Sequence, residues 1–530
     1  MTIKKMIRSF IVIMIVLSLA ISSYTFAEGI HFANQDEPNT VKSDETLVVA
    51  LASEPSSLWM GGTGKLENEM CVIQAAFTDE LVRVDYGTGE LKPSLATEWE
   101  WLDDTHCRFT LRDDVKMTDG TLLEAADVVY SINVFMEYSG NSDTGRFFVG
   151  AEAEDEHTVT VEFNTVAPDL LSMIAWSNFG IFSEDEINAL GGVEEASRNP
   201  VFGSGRYRFK EWKNGQYILL ERNEEYWDPD YVGYFKEIKF TFTNDPSARA
   251  LLVQSGDAQV TVDMPITMAS SFQNDERVSL IVNDMGNTAR LFYNMGPKAG
   301  ATTDIRVRKA IDKALDFDAI AYIATGGMGQ EIHGYFAEGS KYYNETFTRE
   351  EREVDIEGAK ALLEEAGYAD GLTLTMLGTS DGEAIMAVVQ ENLRQVGIDL
   401  QINVLDVAAF VEAANGGDYD LIIVGDSVDV RYPTLMMSFK QAFIDTFTIG
   451  GCKWTTPEIE AKIDALIQET DDEKAKEYAG EVEQMYKDEM CFSNTYSELR
   501  SALTQSDIRG YCRIERGLFD ATTLYRVTND

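Results

Sequence analysis

The order strand, helix, strand, helix, strand over residues 372–424 predicts an α/β fold built on a largely parallel sheet. Two further observations agree with it. Hydrophobic residues make up 44% and aromatics 11% of the 530-residue chain, which is enough for packed cores and excludes a disordered polymer. Helical and strand periodicities recur along the chain with no fixed-period repeat or low-complexity tract between them. The length favours more than one folding unit.

The elements follow one by one. Residues 372–377 form a strand, 383–396 a helix stopped by Gly397, 398–405 a strand, 407–415 a helix and 421–424 a buried strand. Upstream, 46–52 is apolar and β-branched and reads as a buried strand, 70–81 as a helix, and 105–112, 158–163 and 217–221 as alternating strands. Thr121 to Glu124 reads as a capping box, opening a helix to about Tyr138 with 122, 125, 126, 129 and 132 on its apolar face. Asp304 and Asp316 are expected to cap two helices, the first lined by 307, 310, 311, 314 and 315, the second ending at Gly326-Gly327. Thr456-Pro457 starts a helix with proline in its first turn, and 472–488 forms another.

The N-terminus reads as a targeting segment. Lys4, Lys5 and Arg8 precede the almost wholly apolar stretch from Phe10 to Ile21, and Thr25-Phe26-Ala27 has small residues at −3 and −1. Twelve residues of helix rise only about 18 Å, short of a bilayer core of roughly 30 Å, so a signal peptide over 1–27 is expected rather than an anchor. Residues 28–44 are polar and irregular and read as a linker. With no cysteine at the cleavage point, a soluble exported protein is expected rather than a lipoprotein. Export permits disulfides. By region, Cys71 with Cys107 and Cys491 with Cys512 are the candidate pairs, leaving Cys452; buried thiols are the alternative.

Composition and missing motifs narrow the chemistry. With 44 Lys+Arg against 90 Asp+Glu, the formal charge is −46. Such a surface repels nucleic-acid phosphates and anionic headgroups and favours cationic or zwitterionic small molecules. No phosphate loop, nucleophile elbow, zinc-protease or calcium-loop spacing occurs, and the four histidines are scattered. No catalytic residue, cofactor or metal site is therefore expected. A secreted hydrolase using acidic pairs is kept only as the last reading.

Several segments together carry a resemblance. They are 53–58 (Ser-Glu-Pro-Ser-Ser-Leu), 88–100, 108–116, 119–121, 126–131, 203–207 (Gly-Ser-Gly-Arg-Tyr), 222–227, 306–311 and 359–368. In this order they make the chain resemble the extracytoplasmic solute-binding proteins of ABC importers, of the oligopeptide, dipeptide and nickel type. Two departures stand out. The family usually has proline where Arg206 stands, and an aromatic and a polar residue where Met117 and Thr118 stand. Both are expected to affect only local surface.

The resemblance implies a two-lobed periplasmic-binding-protein-like clamshell of type II, in its large peptide-binding class, with an extra subdomain. Residues 45–70, 196–285 and 496–530 would form lobe I, 71–195 an inserted subdomain, and 286–495 lobe II. It also implies hinge closure on a small-molecule ligand and delivery to a membrane permease complex, by a periplasmic or surface-associated monomer. The ligand expected first is a di- or oligopeptide; nickel, a metal chelate or an oligosaccharide is the alternative.

The site residues come from both arguments. The strand 421–424 ends at a position where open α/β sheets bind ligands. Asp426, Asp429 and Arg431 follow it. The resemblance makes Asp429 the partner of a peptide α-amine, and Asp426 a departure where many members carry an aromatic. From the other lobe it offers the loop 61–69, with Glu67, Asn68 and Glu69 as candidates. Arg290 and Arg431 could pair a ligand carboxylate, although ion pairs within the protein are the commoner fate of an arginine.

Overall fold

The computed structural model describes residues 42–59, 67–84, 90–139, 147–166, 170–175, 179–196, 203–231, 233–329, 331–336, 342–426, 440, 451–513 and 519–527. The expected signal peptide and nearly all of the linker lie outside these residues. Among the described residues no helix is long and apolar enough to cross a membrane.

Strand β1 (Thr46–Leu51) is followed by helix α1 (Asn68–Phe77) and a short hairpin, β2 (Val82–Val84) with β3 (Leu91–Pro93). A separate four-stranded antiparallel sheet comes next, from β4 (Ala96–Trp101), β5 (His106–Leu111), β6 (Phe148–Asp155) and β7 (Thr158–Phe163), in the order β4-β5-β7-β6. Helix α2 (Ala125–Ser139) packs on β6. The chain then returns beside β1 with β8 (Tyr207–Lys213), β9 (Tyr217–Arg222), β10 (Glu237–Phe242), α3 (Pro246–Ser255) and β11 (Val260–Met264). Strand β12 (Val278–Tyr293) leads away to α4 (Ile305–Ala314), α5 (Phe317–Thr325) and α6 (Ile356–Glu365). The predicted alternation follows as β13 (Leu372–Gly378), α7 (Glu383–Arg394), β14 (Ile398–Val404), α8 (Val407–Gly416) and β15 (Leu421–Asp426). Helices α9 (Pro457–Gln468) and α10 (Asp472–Glu489) precede β16 (Phe492–Gln505).

One ten-stranded sheet carries the molecule, in the order β14-β13-β15-β12-β16-β11-β1-β10-β9-β8. It is parallel where the βαβ pattern predicted, at β14-β13-β15, and again at β11-β1-β10. Its other neighbours are antiparallel, so the sheet as a whole is mixed rather than largely parallel. The long antiparallel ribbon of β12 and β16 joins the two parallel groups. Pairing is regular from Val278–Gln505 to Asp284–Leu499 and resumes at Thr288–Ser497, so β12 carries two extra residues in mid-ribbon. A second shift follows between Ala289 and Arg290, where Thr495 Oγ1 donates to the Ala289 carbonyl at 2.6 Å.

Local chemistry explains most helix boundaries. Asp304 accepts from Arg306 N and Asp316 from Ala319 N, as expected of caps, and α5 stops at Gly326 with φ 61°. Val307, Ala310, Ile311, Ala314 and Leu315 are all buried, in a core shared with Leu374, Val389, Leu393 and Leu400. Thr456 accepts from Ile459 N ahead of Pro457.

Two expectations fail for stated reasons. Thr121 does not cap a helix: its N–H and hydroxyl turn back to Asp119 Oδ1 at 2.9 and 2.7 Å. Helix α2 begins at Ala125, where Asp127 Oδ2 accepts from Glu124 N at 3.0 Å. Leu122 is consequently 51% exposed and Ala126 also faces solvent, while Ala125, Val128, Ile132 and Phe135 form the buried face. Helix α1 ends at Phe77 instead of 81. Gly205 N donates to the Phe77 carbonyl at 3.1 Å, and a Cβ at Gly205 would lie 2.4 Å from the Phe77 carbonyl carbon. The Gly203-Ser204-Gly205 backbone thus packs on the helix end, which only glycine permits.

At the two departures from the family pattern, Met117 is buried while Thr118 and Arg206 are half-buried. Met117 is core, and Thr118 N donates to the Gly203 carbonyl at 2.8 Å. Arg206 donates to Thr522 Oγ1 at 2.5 Å and pairs with Asp520 at 3.3 Å, tying the C-terminal segment to β8.

For the cysteines the alternative, buried thiols, is the one observed in place of the candidate pairs. Cys71, Cys107, Cys452 and Cys491 are buried thiols in no disulfide. Cys491 is hydrogen-bonded to Cys452.

Candidate functional site

The sheet's directions place the site. β11 runs antiparallel to β16, from the Val260–Thr504 pair to Met264–Ser501, so its carboxyl end points toward mid-ribbon. β15 runs antiparallel to β12, from Leu421–Tyr293 to Asp426–Thr288, so its carboxyl end points toward mid-ribbon from the opposite side. β1 shares the direction of β11, and β13 that of β15. Two sets of parallel strands therefore aim their carboxyl ends at one region, where the joining ribbon is irregular. Carboxyl ends of parallel strands are where open α/β sheets take ligands.

On one side, the loop after β1 is stitched to α1. Glu67 accepts from Ser56 N and Ser56 Oγ, both at 2.7 Å, and Glu69 accepts from Ser53 Oγ at 2.8 Å. Asn68, between them, is exposed. Glu54 accepts from Trp212 Nε1 at 2.7 Å and from Gly215 N at 3.0 Å. Beneath, Arg249 is buried and donates to Thr261 Oγ1 and to the carbonyls of Thr243, Asn244 and Asp263 at 2.9–3.2 Å. Burial pulls its pKa down while Asp263, Glu69 and Asp245 pull it up, so the acids of this rim sit in its field. Asp263, at φ 53°, is the penultimate residue of β11 and pairs with Arg500 at 2.6 Å.

On the other side, Asp426 is the last residue of β15 and pairs in register with Thr288. Asp429 and Arg431 lie outside the described residues, as do residues 61–66 of the facing loop. Sequence reasoning missed three groups at this end. Glu498 on β16 lies over Gly425, where an added Cβ would meet its Oε1 at 2.1 Å. Tyr496, which shares the register row of Gly425 through Ala289, has its phenol pKa raised by burial first, then by the charges of Glu498 and Asp381. Asp381 follows the carboxyl end of β13 and accepts from Thr379 Oγ1. Only the register of β16 brings these together, and residues 492–505 show no alternation that would mark a strand.

Arg290 is not available to a ligand. Its side chain is fully buried; Nε donates to Asn494 Oδ1 at 3.1 Å and Nη2 to the Tyr335 carbonyl. Its guanidinium stacks 4.2 Å from the Tyr335 ring centroid. This is the ion-and-ring packing inside the protein that an arginine more often finds.

Among the described residues no group of three or more His, Cys, Asp and Glu side chains is placed to hold a metal ion.

Comparison with known proteins gives the family and the fold. Residues 90–443, about two thirds of the chain, match the family "Bacterial extracellular solute-binding proteins, family 5 Middle". The periplasmic murein peptide-binding protein MppA of Escherichia coli is 25% identical over 383 residues, covering 66% of this chain and 70% of MppA. The periplasmic binding protein DppA from Helicobacter pylori, solved in complex with the peptide STSA, superposes with a TM-score of 0.76 at 20% identity, over 91% of this chain and 98% of that one. NikA from Staphylococcus aureus, solved in complex with Ni(L-His)2, superposes with a TM-score of 0.72 at 18% identity, over 91% and 100%. The protein belongs to the family 5 bacterial extracellular solute-binding proteins.

Proposed function

We propose that this protein is the exported receptor of an ABC importer, and that it captures a short peptide without transforming it and presents it to the membrane permease. The carrying observation is the convergence of two sets of strand carboxyl ends on the irregular middle of the β12–β16 ribbon, with Asp381, Asp426 and Glu498 on one side. A rim of carboxylates favours an ammonium, as does the chain's charge of −46. Residues 45–70, 196–285 and 496–530 act as one lobe, with 71–195 inserted, and 286–495 act as the other. They turn about 284–288 and 497–499, where pairing is already broken. Contacts made by both lobes exist only when closed, so ligand shifts the open–closed equilibrium.

Within that cleft Asp429 takes the peptide α-amine, flanked by Asp426 and Arg431, while Glu67, Asn68 and Glu69 face it from the opposite lobe. A second reading, a metal chelate, is favoured by the likeness to the NikA complex. Native mass spectrometry of the freshly purified protein separates the two by the mass of the retained ligand. Calorimetry then tests the amine contact. Asp429→Asn and N-acetylation of the peptide should each cost about 1.5–3 kcal/mol, and the losses should not add, because they remove one interaction. Full additivity would remove Asp429 from this role. New products after incubation with a peptide library would overturn binding without turnover.

A further inference from the structure

Two cysteines that the sequence does not pair are held together just beyond the end of β12. Tyr293 N donates to the Cys491 carbonyl at 3.3 Å and Met295 N to the Cys452 carbonyl at 2.8 Å. These anchoring amides are two residues apart, so both cysteine segments lie against the same short stretch of backbone. The side chains face one another: the Cys491 thiol donates to the Cys452 sulfur, which donates to the Trp454 carbonyl at 3.3 Å. Both residues are buried, at 2% and 0% exposure. The flanking backbone is fixed as well, since Tyr419 Oη donates to the Gly451 carbonyl at 2.6 Å and Arg308 donates to the Met490 carbonyl at 3.0 Å.

We propose that Cys452 and Cys491 are a disulfide site, oxidised by thiol–disulfide exchange as the exported chain folds. The proposal rests on the extracytoplasmic location put forward above, because only an oxidising compartment keeps such a bond. The Cys452 thiolate attacks one sulfur of an exchanging disulfide, either an oxidised dithiol oxidoreductase or glutathione disulfide, and expels the other sulfur as a thiolate. Cys491, deprotonated in turn, attacks the Cys452 sulfur. The Cys452–Cys491 bond forms, the second thiolate leaves, and the two cysteine protons end on the two departing sulfurs. Two electrons pass to the exchanging disulfide. In the folded thiol form the hydrogen bond from Cys491, with help from the Arg308 guanidinium, holds the Cys452 thiol below its ordinary pKa, while the same bond and burial push Cys491 up. Because both sulfurs are buried in the folded protein, exchange takes place before residues 451–491 close. The bond then ties the segment before α9 to the start of β16.

Peptide mapping under N-ethylmaleimide, without reductant, tests this on full-length protein recovered from the cell envelope and on protein refolded with glutathione disulfide. A cross-linked peptide joining Cys452 and Cys491 is expected in both, and reduction should lower the melting temperature by several degrees. Cys512→Ser should leave that peptide in place, whereas Cys452→Ser and Cys491→Ser should each abolish it and the melting shift. Alkylation of both thiols after oxidative refolding, or linkage of either to Cys71, Cys107 or Cys512, would overturn the pairing. A linked peptide after refolding with free thiols in the cell-derived protein would leave the pairing standing and overturn the extracytoplasmic reading.

Discussion

The two strand groups that flank the central ribbon present the same end to the site but are built by different means. The β13–β15 side is assembled from local signals: Asp304, Asp316, Asp355 and Asp406 each cap the helix that follows. On the β1–β11 side Asp245 caps α3 in the same local way, but side chains from outside the loops add to what holds them. Glu54 reaches across to 212–215, Glu67 and Glu69 hold the serines after β1, and Arg249 gathers three loop carbonyls. A rim set by local rules survives the loss of one of them. A rim set by a few long-range bonds depends on each.

The largest test of that contrast is Arg249→Ala. It removes a buried side chain together with its charge-assisted bonds to the carbonyls of Thr243, Asn244 and Asp263, and should cost about 3–5 kcal/mol of stability in urea unfolding. A loss under 1 kcal/mol would mean that the loops hold themselves. Removing a local device on the other side, by Asp316→Ala, deletes the bond to Ala319 N and should cost only about 1 kcal/mol.

The acid buried beside the tail offers an intermediate effect with a defined pH sign. Burial first, and then the charge of Asp79, push the Glu80 carboxyl from 4.5 up to about 8. Between those values the folded state keeps a proton that the unfolded chain has lost. The group's contribution is therefore most favourable at low pH and is lost as pH rises toward 8. Glu483, held at about 7 mainly by burial, acts in the same direction from the other half. Urea midpoints should fall from pH 5 to pH 8. Glu80→Gln should flatten the slope and exceed the parent in stability at pH 8, and adding Glu483→Gln should flatten it further. An unchanged slope in Glu80→Gln would show that Glu80 ionises normally.

The same division governs what the sequence reveals. Helix caps, the β13–β15 alternation and the buried stripe of α4 are legible because each is decided by residues within four positions. The end of α1 is not, because Gly205, 128 residues away, is what stops it at Phe77. Nor is the capping of α2, where Thr121 satisfies the pattern but Asp119 takes its hydroxyl and Asp127 does the work. The ribbon escaped because its inner positions hold Arg290, Ser493, Asn494 and Thr495, whose burial makes sense only once paired. For the site, the strand end at Asp426 was legible from direction alone. Glu498 and Tyr496 were not, since their place depends on a register set across 200 residues.

The smallest effect on stability should come with a clear effect on binding. Gly425 has no left-handed backbone to protect, and its missing Cβ makes room only for the flexible end of Glu498. In Gly425→Ala the carboxylate can swing aside, so stability should change by less than about 1 kcal/mol, with alanine's lower strand entropy offsetting part of the loss. The displaced charge, however, leaves the carboxyl end of β15. Glu498→Gln keeps the shape and removes the charge. If Glu498 is read by a ligand ammonium, both variants should weaken peptide binding several-fold in calorimetry, and neither should weaken binding of the N-acetylated peptide further. If only Gly425→Ala weakens binding, Glu498 acts by shape and the ammonium is read elsewhere on the rim. If neither does, the site does not extend to β16, and the ligand is held by the strand ends without the ribbon.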